Sequence, residues 1–289
     1  MPHALARTDE SAARVHVACA VCGADDAAPF HQESGFTMVR CRGCGFCYVA
    51  PRPPPAHRAD HHHDYLPADE AAVDGWRRMM APVTARSVTL VAARRPPPGR
   101  ACDVGCGYGF FLDALRARGY EVTGCEVGAP ALAHCARLGL AVRATLLEDA
   151  DWPAGAFDVV SAFYVIEHVF DPRAFLQACR RLLRPGGLLM LRWPHSTPLV
   201  RLTRPFVDLR LYDLPSHLQD FAPRTLARLL GATGFTDVRH HVGGYTRPVA
   251  IHARVAAAAG AALGSLLAAA TGGRWLLPGI SKTTTATAT

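Results

Sequence analysis

The chain has 289 residues, half of them apolar, and a formal net charge of +7. That is room for one full α/β domain and a small appendage, with enough apolar material for a sizeable core. The positive charge comes from scattered arginines, with Lys282 the single lysine, and this spread argues against a nucleic-acid partner, which would need a basic arm or patch.

The N-terminal region shows no charged-then-apolar-then-small signal pattern. The long apolar stretch at 249–270 is mostly Ala and Gly and carries His252 and Arg254, a poor composition for a bilayer span. Five of the ten cysteines lie between Cys19 and Cys47. Cys19-x-x-Cys22 and Cys41-x-x-Cys44, eighteen residues apart, match the two-knuckle pattern of a tetrahedral zinc site, with Gly23, Gly43 and Gly45 easing the turns. Four thiolates close the coordination sphere, so such a site is structural. Cys47 falls on an alternating segment that reads as a strand with Cys47 inward, outside the ligand set. Cys102, Cys106, Cys125, Cys135 and Cys179 are scattered through apolar segments as small buried hydrophobes. The cysteine usage is that of a reducing compartment, and the expected location is cytoplasmic. Residues 1–55 thus read as a zinc-binding module ending in the stiff connector Pro51-Arg52-Pro53-Pro54-Pro55.

Residues 56–99 read as a helical lid or linker. His57, His61, His62 and His63 begin it as solvated loop histidines, and a helix over 68–95 follows, broken around Pro82 and stopped by the prolines at 96–98. From Arg100 strands alternate with helices: strand 101–104, helix 110–118, strand 121–125, helix 129–138, strand 141–145, strand 157–163, helix 172–183 and strand 187–191. A helix at 223–233 and a strand at 235–242 come later. This alternation predicts right-handed crossovers and a Rossmann-like α/β fold, a mostly parallel sheet with helices on both faces, over 100–248. Residues 249–289 read as an Ala-rich helix and, from Thr283, a disordered Thr/Ala tail.

The most informative segment is Asp103-Val104-Gly105-Cys106-Gly107-Tyr108-Gly109, between the first strand and its helix. Glycines there allow a tight turn and close approach of a ligand to the backbone. The spacing alone also fits dinucleotide folds. Asp103, two positions before the first glycine, is unwelcome to a diphosphate and suits an ammonium group. Glu126, at the end of the second strand, is placed to accept both hydroxyls of a ribose.

With 101–112, Gly124 to Glu126, Phe157-Asp158-Val159-Val160, Ile166-Glu167-His168-Val169 and Leu183-Arg184-Pro185-Gly186-Gly187 in order, the chain resembles the class I S-adenosylmethionine-dependent methyltransferases over about residues 100–193. The resemblance implies a seven-stranded sheet with one antiparallel strand near the end. It implies that Asp103, Gly105, Cys106, Gly107, Tyr108 and Gly109 hold the methionine part of S-adenosylmethionine, Glu126 and Val127 the ribose, and Leu146, Leu147 and Glu148 the adenine. Phe163 and Tyr164 would lie beside the sulfonium. The cysteine module resembles the zinc-binding segment on some bacterial methyltransferases of sugars and natural products, in which a Tyr before the first helix reaches the cofactor, here Tyr65. Gly128 departs from the Ser or Pro of many relatives. The last strand is hard to find, because Pro278 interrupts 275–280.

Methyl transfer from a sulfonium is an in-line displacement that alignment accelerates. A base is needed only when the acceptor must lose a proton. His168 and His217 are the candidate bases, and Tyr164 could position the acceptor or cover the cofactor. The acceptor cleft is expected between the zinc module, the loop after Phe163 and residues 211–221, with the two histidines on opposite sides. The expected partner is a small molecule with an O, N or C acceptor. The rival reading is a protein that binds the cofactor without transferring methyl, as a cyclase or a regulatory scaffold.

Overall fold

The structure is a computed structural model that describes residues 14–55, 69–203, 212–244, 246, 251–271, 276 and 281–289. Tyr65, the His57–His63 group, Leu211 and most of 275–280 lie outside the described residues.

Three short strands open the chain: β1 (Ala27–Glu33), β2 (Phe36–Cys41) and β3 (Cys47–Val49). Helix α1 (Glu70–Arg94) starts at Asp69, whose carboxylate caps the Ala72 N–H, and runs through Pro82 as one helix. The expected break at Pro82 is therefore not present. The alternating domain follows with β4 (Arg100–Val104), α2 (Phe110–Arg116), β5 (Glu121–Glu126), α3 (Ala129–Arg137) and β6 (Val142–Ala144). Next come β7 (Phe157–Phe163), α4 (Pro172–Leu182) and β8 (Leu183–Trp193). Helix α4 shows why such segments form. Asp171 caps the Arg173 and Ala174 N–H groups, Pro172 fits the first turn, and Phe175, Leu176, Cys179 and Leu182 make one buried face. The chain continues with α5 (Thr197–Thr203), β9 (Gln219–Asp220), α6 (Pro223–Ala232), β10 (Phe235–His241), α7 (Ile251–Ala270) and β11 (Lys282–Ala288).

The main sheet has seven strands in the order β10-β11-β8-β7-β4-β5-β6. Pairing is parallel from β8 to β6 and antiparallel only where β11 meets β8 and β10. The expected sheet is present, but its antiparallel strand is the Thr/Ala tail that read as disordered. In Thr283-Thr284-Thr285 the polarity that suggested solvation is met inside the protein. The Thr284 hydroxyl takes the Trp193 indole N–H at 2.8 Å and meets the His240 ring at 2.9 Å, and Thr283 takes an Arg192 N–H at 3.1 Å. Threonine's β-branch favours the strand once a slot between two strands exists. The boundary placed at 248 therefore cuts a strand from the domain it belongs to.

A second sheet has the order β1-β2-β3-β9. Its last strand comes from beyond β8 in the chain, with Tyr48 opposite Gln219 and Cys47 opposite Asp220. Cys19, Val21, Phe46 and Tyr48 share one buried core with Phe175, Leu176, Phe221 and Leu226. The N-terminal module is thus fused to the domain, not tethered to it. Among the described residues no helix is long and apolar enough to cross a membrane.

Candidate active site and metal centre

The glycine loop leaves β4 at its carboxyl end. Gly105 and Cys106 both donate to the Cys125 carbonyl, at 2.9 and 3.1 Å, which stitches the loop to β5. Glu126 then closes it: one carboxylate oxygen accepts from Gly107 N–H at 2.8 Å, the other from Val127 and Gly128 N–H at 2.7 and 2.8 Å. Gly107 has φ +52°, and a Cβ built there would meet nothing within 4 Å. Its backbone therefore faces an open cradle. By contrast, a Cβ on Gly105 would fall 2.7 Å from a methyl of Val165, so the loop after β7 packs directly on the cradle.

Asp103 lies below the loop and is buried. Its carboxylate accepts from the Ser161 hydroxyl at 2.6 Å, across the β4–β7 register that pairs the two residues. Burial lifts its pKa to about 7; the Ser161 hydrogen bond opposes the rise and the charge of Glu126 adds to it. A cationic group beside Asp103 would relieve this. A buried carboxyl, an open glycine cradle and a carboxylate ending the next strand suit the methionine and ribose parts of S-adenosylmethionine. Cys106 and Tyr108 turn away from the cradle, Cys106 into a cluster with Leu112, Cys135 and Leu140, Tyr108 against Val73 and Ala131. Leu147 faces the core and Glu148 is exposed, while Leu146, 43 % exposed, presents the apolar side chain beyond β6. Phe163 packs on Phe111 at 4.7 Å between ring centroids.

Tyr164 follows Phe163 in a left-handed turn, φ +57°. Its hydroxyl accepts from Arg192 at 2.8 Å, with the guanidinium also 5.7 Å from the Tyr164 ring centroid. Arg192, buried on β8, bonds the Gly244 carbonyl as well, at 2.6 Å. The phenol is thus braced by a cation that the sequence did not single out.

His168 and His217 meet, with ring centroids 4.7 Å apart and planes at 71°. They stand side by side, not on opposite sides of a cleft as expected, because the segment before β9 folds back on the loop after β7. Leu218 N–H donates to the Glu167 carbonyl at 2.8 Å, and the His168 ring bonds the Ser216 carbonyl at 2.9 Å. The Gln219 amide donates to the Ile166 and Val169 carbonyls at 2.6 and 2.9 Å, bracketing Glu167 and His168. Arg52, from the connector, donates to Phe170 O at 2.6 Å. Burial lowers the pKa of His217, which keeps it neutral near pH 7. Burial raises Glu167 to about 8, opposed by its own backbone N–H and aided by the nearby Asp220. Glu167, Gln219 and Ser161 are the residues sequence reasoning missed. Glu167 stands in the Ile166-Glu167-His168-Val169 motif, but nothing local signals its burial.

The four cysteines Cys19, Cys22, Cys41 and Cys44 converge as a group able to hold a metal ion. The sulfurs of Cys19 and Cys44, and of Cys22 and Cys41, are 3.5 Å apart, near the spacing of about 3.8 Å that bonds of about 2.3 Å impose on a tetrahedron. The two knuckles are alike: Gly23 N–H donates to Cys19 O at 2.8 Å and Gly45 N–H to Cys41 O at 2.9 Å, both glycines at φ +77°. Cys47 is buried on β3 outside the group, as expected.

Comparison with known proteins agrees with this geometry. The methyltransferase-domain family matches residues 76–240, more than half of the chain. The ubiquinone biosynthesis O-methyltransferase of Xanthomonas axonopodis pv. citri is 38% identical over 134 residues, 43% of this chain and 56% of the relative. That of Pseudomonas paraeruginosa is 33% identical over 165 residues, 53% of this chain and 71% of the relative. The chain thus spans little more than half the length of the first of these. Among solved structures, Burkholderia thailandensis 1,6-didemethyltoxoflavin-N1-methyltransferase, bound to its namesake compound and S-adenosylhomocysteine, has the same fold. It is 18% identical, with a TM-score of 0.55, over 91% of this chain and all of that one. The chain belongs to the methyltransferase-domain family of S-adenosylmethionine-dependent enzymes.

Proposed function

We propose that the protein transfers a methyl group from S-adenosylmethionine to a small molecule bearing a hydroxyl, with Glu126 and the Asp103–Gly109 loop holding the cofactor. The observation that carries this is the meeting of His168 and His217 on the loop whose Val165 packs against Gly105. An activated methyl leaves a sulfonium without acid catalysis, so a pair of histidines beside the cradle serves an acceptor that must lose a proton. A nitrogen acceptor that is already neutral and carries a free lone pair would need neither. The similar ubiquinone-pathway proteins are O-methyltransferases by name, which supports the same choice. The bound cofactor supplies the electrophilic methyl. The chain aligns the acceptor, keeps His217 neutral by burial, and braces Tyr164 on Arg192 so that it can cover the reaction centre.

Zinc on the four cysteines would be structural. Cys19, Cys22, Cys41 and Cys44 would hold the ion, and it would tie together the two knuckles beside the sheet whose last strand, β9, directly follows His217 and Leu218. Metal analysis should find tightly held zinc that Cys41→Ser abolishes. Because β9 completes that sheet, losing zinc should loosen the His217 segment as well as the first fifty residues.

The deciding experiment screens phenols, sugars and other hydroxylated metabolites in a homocysteine-release assay. Turnover with a hydroxylated acceptor supports the proposal. Tight cofactor binding without turnover on any acceptor favours a non-methylating role.

A further inference from the structure

Arg192 is 2 % exposed, yet none of the ion pairs among the described residues includes it. The oxygens it bonds are all neutral: the Tyr164 hydroxyl at 2.8 Å, the Thr283 hydroxyl at 3.1 Å, and the Gly243 and Gly244 carbonyls at 3.5 and 2.6 Å. A guanidinium cannot shed its charge by losing a proton, and burying it without a counter-ion is costly. The neighbouring strand adds to the excess. Lys282 stands opposite Trp193, one step along from the Thr283–Arg192 pair, and is fully buried. Burial brings its pKa down to about 8, with Asp220 opposing the fall and Arg192 adding to it, so the amine still carries its charge near pH 7. Glu167, raised to about 8 by burial, is protonated there, and burial brings His195, His240 and His241 down to about 4, which leaves them neutral. Even with Asp220 ionised, this group of described residues keeps one unbalanced positive charge.

Tyr164 carries that charge towards the acceptor. It is the first residue after β7, at the carboxyl edge of the sheet and four residues before His168. Its left-handed backbone, φ +57°, is uncommon for a bulky residue and persists only where its surroundings enforce it. Arg192 enforces it twice: Tyr164 N–H donates to the Arg192 carbonyl at 2.7 Å, and the phenol oxygen accepts from Arg192 Nε at 2.8 Å. Because the guanidinium donates, it takes none of the phenol's own proton, and a phenol that accepts from a cation is a stronger donor in turn. The half-buried side chain therefore offers an O–H backed by a fixed positive charge, which is what an oxyanion requires.

We propose that the acceptor is an acid: beside the hydroxyl that receives the methyl group it carries a carboxylate, which binds at the Tyr164 hydroxyl with the Arg192 guanidinium behind it. A hydroxyl is neutral before reaction and leaves the buried charge unbalanced, whereas a carboxylate is ionised near pH 7 and balances it. A phosphate monoester, at about −1.5 to −2, brings more charge than the site lacks. Tyr164 touches the carboxylate, and Arg192 is a positioning residue that acts through it. The inference rests on the methyl-transfer reading for its hydroxyl and on the unpaired charge for its carboxylate.

The test loads the full chain, zinc retained on its cysteines, with S-adenosylhomocysteine, so that binding is read without transfer. Calorimetry then compares 3,4-dihydroxybenzoate, 4-hydroxyphenylacetate and tartrate, each with its methyl ester. At least one acid should bind about tenfold or more tightly than its ester. That preference should shrink to about twofold or less in Tyr164→Phe and in Arg192→Met and return in part in Arg192→Lys, with thermal melts as the check on folding. Tyr164→Phe removes one oxygen at a half-buried site, so it decides the matter even if Arg192→Met does not fold. No acid bound more tightly than its ester, or a preference that survives in Tyr164→Phe, overturns the carboxylate site. So does a loss of S-adenosylhomocysteine affinity in Tyr164→Phe with the acid preference intact, which would assign the charge to the cofactor's own carboxylate. Neutral hydroxylated acceptors methylated as well as acids would leave transfer standing and overturn this inference. An acid preference without turnover of any acceptor would leave the carboxylate site standing and overturn the methyl-transfer reading.

Discussion

The glycine-loop cradle and the proposed acceptor wall are built in opposite ways. Apart from the Ser161 hydroxyl on Asp103 and the contacts of His134 and Cys135 with the Tyr108 and Gly107 carbonyls, the polar contacts that shape the cradle lie between residues 103 and 128. The acceptor wall joins Arg52, the loop of Glu167 and His168, and the segment of His217 and Gln219, and behind Tyr164 it needs Arg192 and Thr283. A site built from contiguous residues survives remote damage. A site gathered from distant segments depends on the whole fold, and four measurements test this contrast.

The largest effect is expected from removing residues 282–289. β11 lies between β8 and β10, so its loss leaves two strand edges and the apolar face of β8 unpaired. Thermal melts followed by circular dichroism should lose their cooperative transition. A truncated chain that melts like the full one would show that the cradle half stands without the rest of the sheet.

His168→Ala and His217→Ala come next, with turnover lower by about 10²–10⁴-fold and cofactor affinity almost unchanged. Steady-state rates with an identified acceptor, beside calorimetric cofactor titrations, check both halves of the statement. Equal losses of affinity and rate would mean that the two sites are not separable.

Glu126→Ala should do the reverse. Removing an acceptor shared between backbone N–H groups and the ribose hydroxyls should weaken cofactor binding by about 1.5–3 kcal/mol, roughly 10- to 150-fold. Zinc content, and with it the second sheet, should stay as in the wild type. Unchanged affinity in calorimetry would move the ribose elsewhere.

The smallest effect is a pH dependence. The cofactor's ammonium group favours ionised Asp103, whose pKa in the free protein is about 7. Below that pH a proton must leave before binding, so affinity should fall by up to about tenfold per pH unit as pH drops from 7 towards 6, and level off above 7. Asp103→Asn should flatten the profile. A wild-type profile already flat between pH 6 and 8 would place the cation away from Asp103.

Much of the cradle is legible in the amino-acid order alone. A glycine-rich turn after a short apolar strand needs no distant partner to be recognised, and Asp103 and Glu126 stand at strand ends that the local pattern marks. The cysteine knuckles are equally plain, since C-x-x-C-G closes its own turn. Hidden are the facts that depend on what lies across the sheet. Leu147 is buried and Leu146 exposed, because the face a residue takes beyond a three-residue strand is set by neighbours, not by its own pattern. The two histidines are expected apart, and one fold-back of the chain puts them together.

By itself, then, the amino-acid order determined the alternating strands and helices after Arg100, the parallel sheet, the paired cysteine knuckles and the glycine loop of the candidate cofactor site, because each follows from periodicity or from spacing within about 25 residues. Tertiary structure alone decided that a threonine-rich tail is an inner strand between β10 and β8, that β9 belongs to the N-terminal sheet, and that Glu167 is buried beside two imidazoles. A hydroxyl or a carboxyl is polar wherever it stands in a sequence. Only the packed fold decides whether water or a particular buried partner satisfies it.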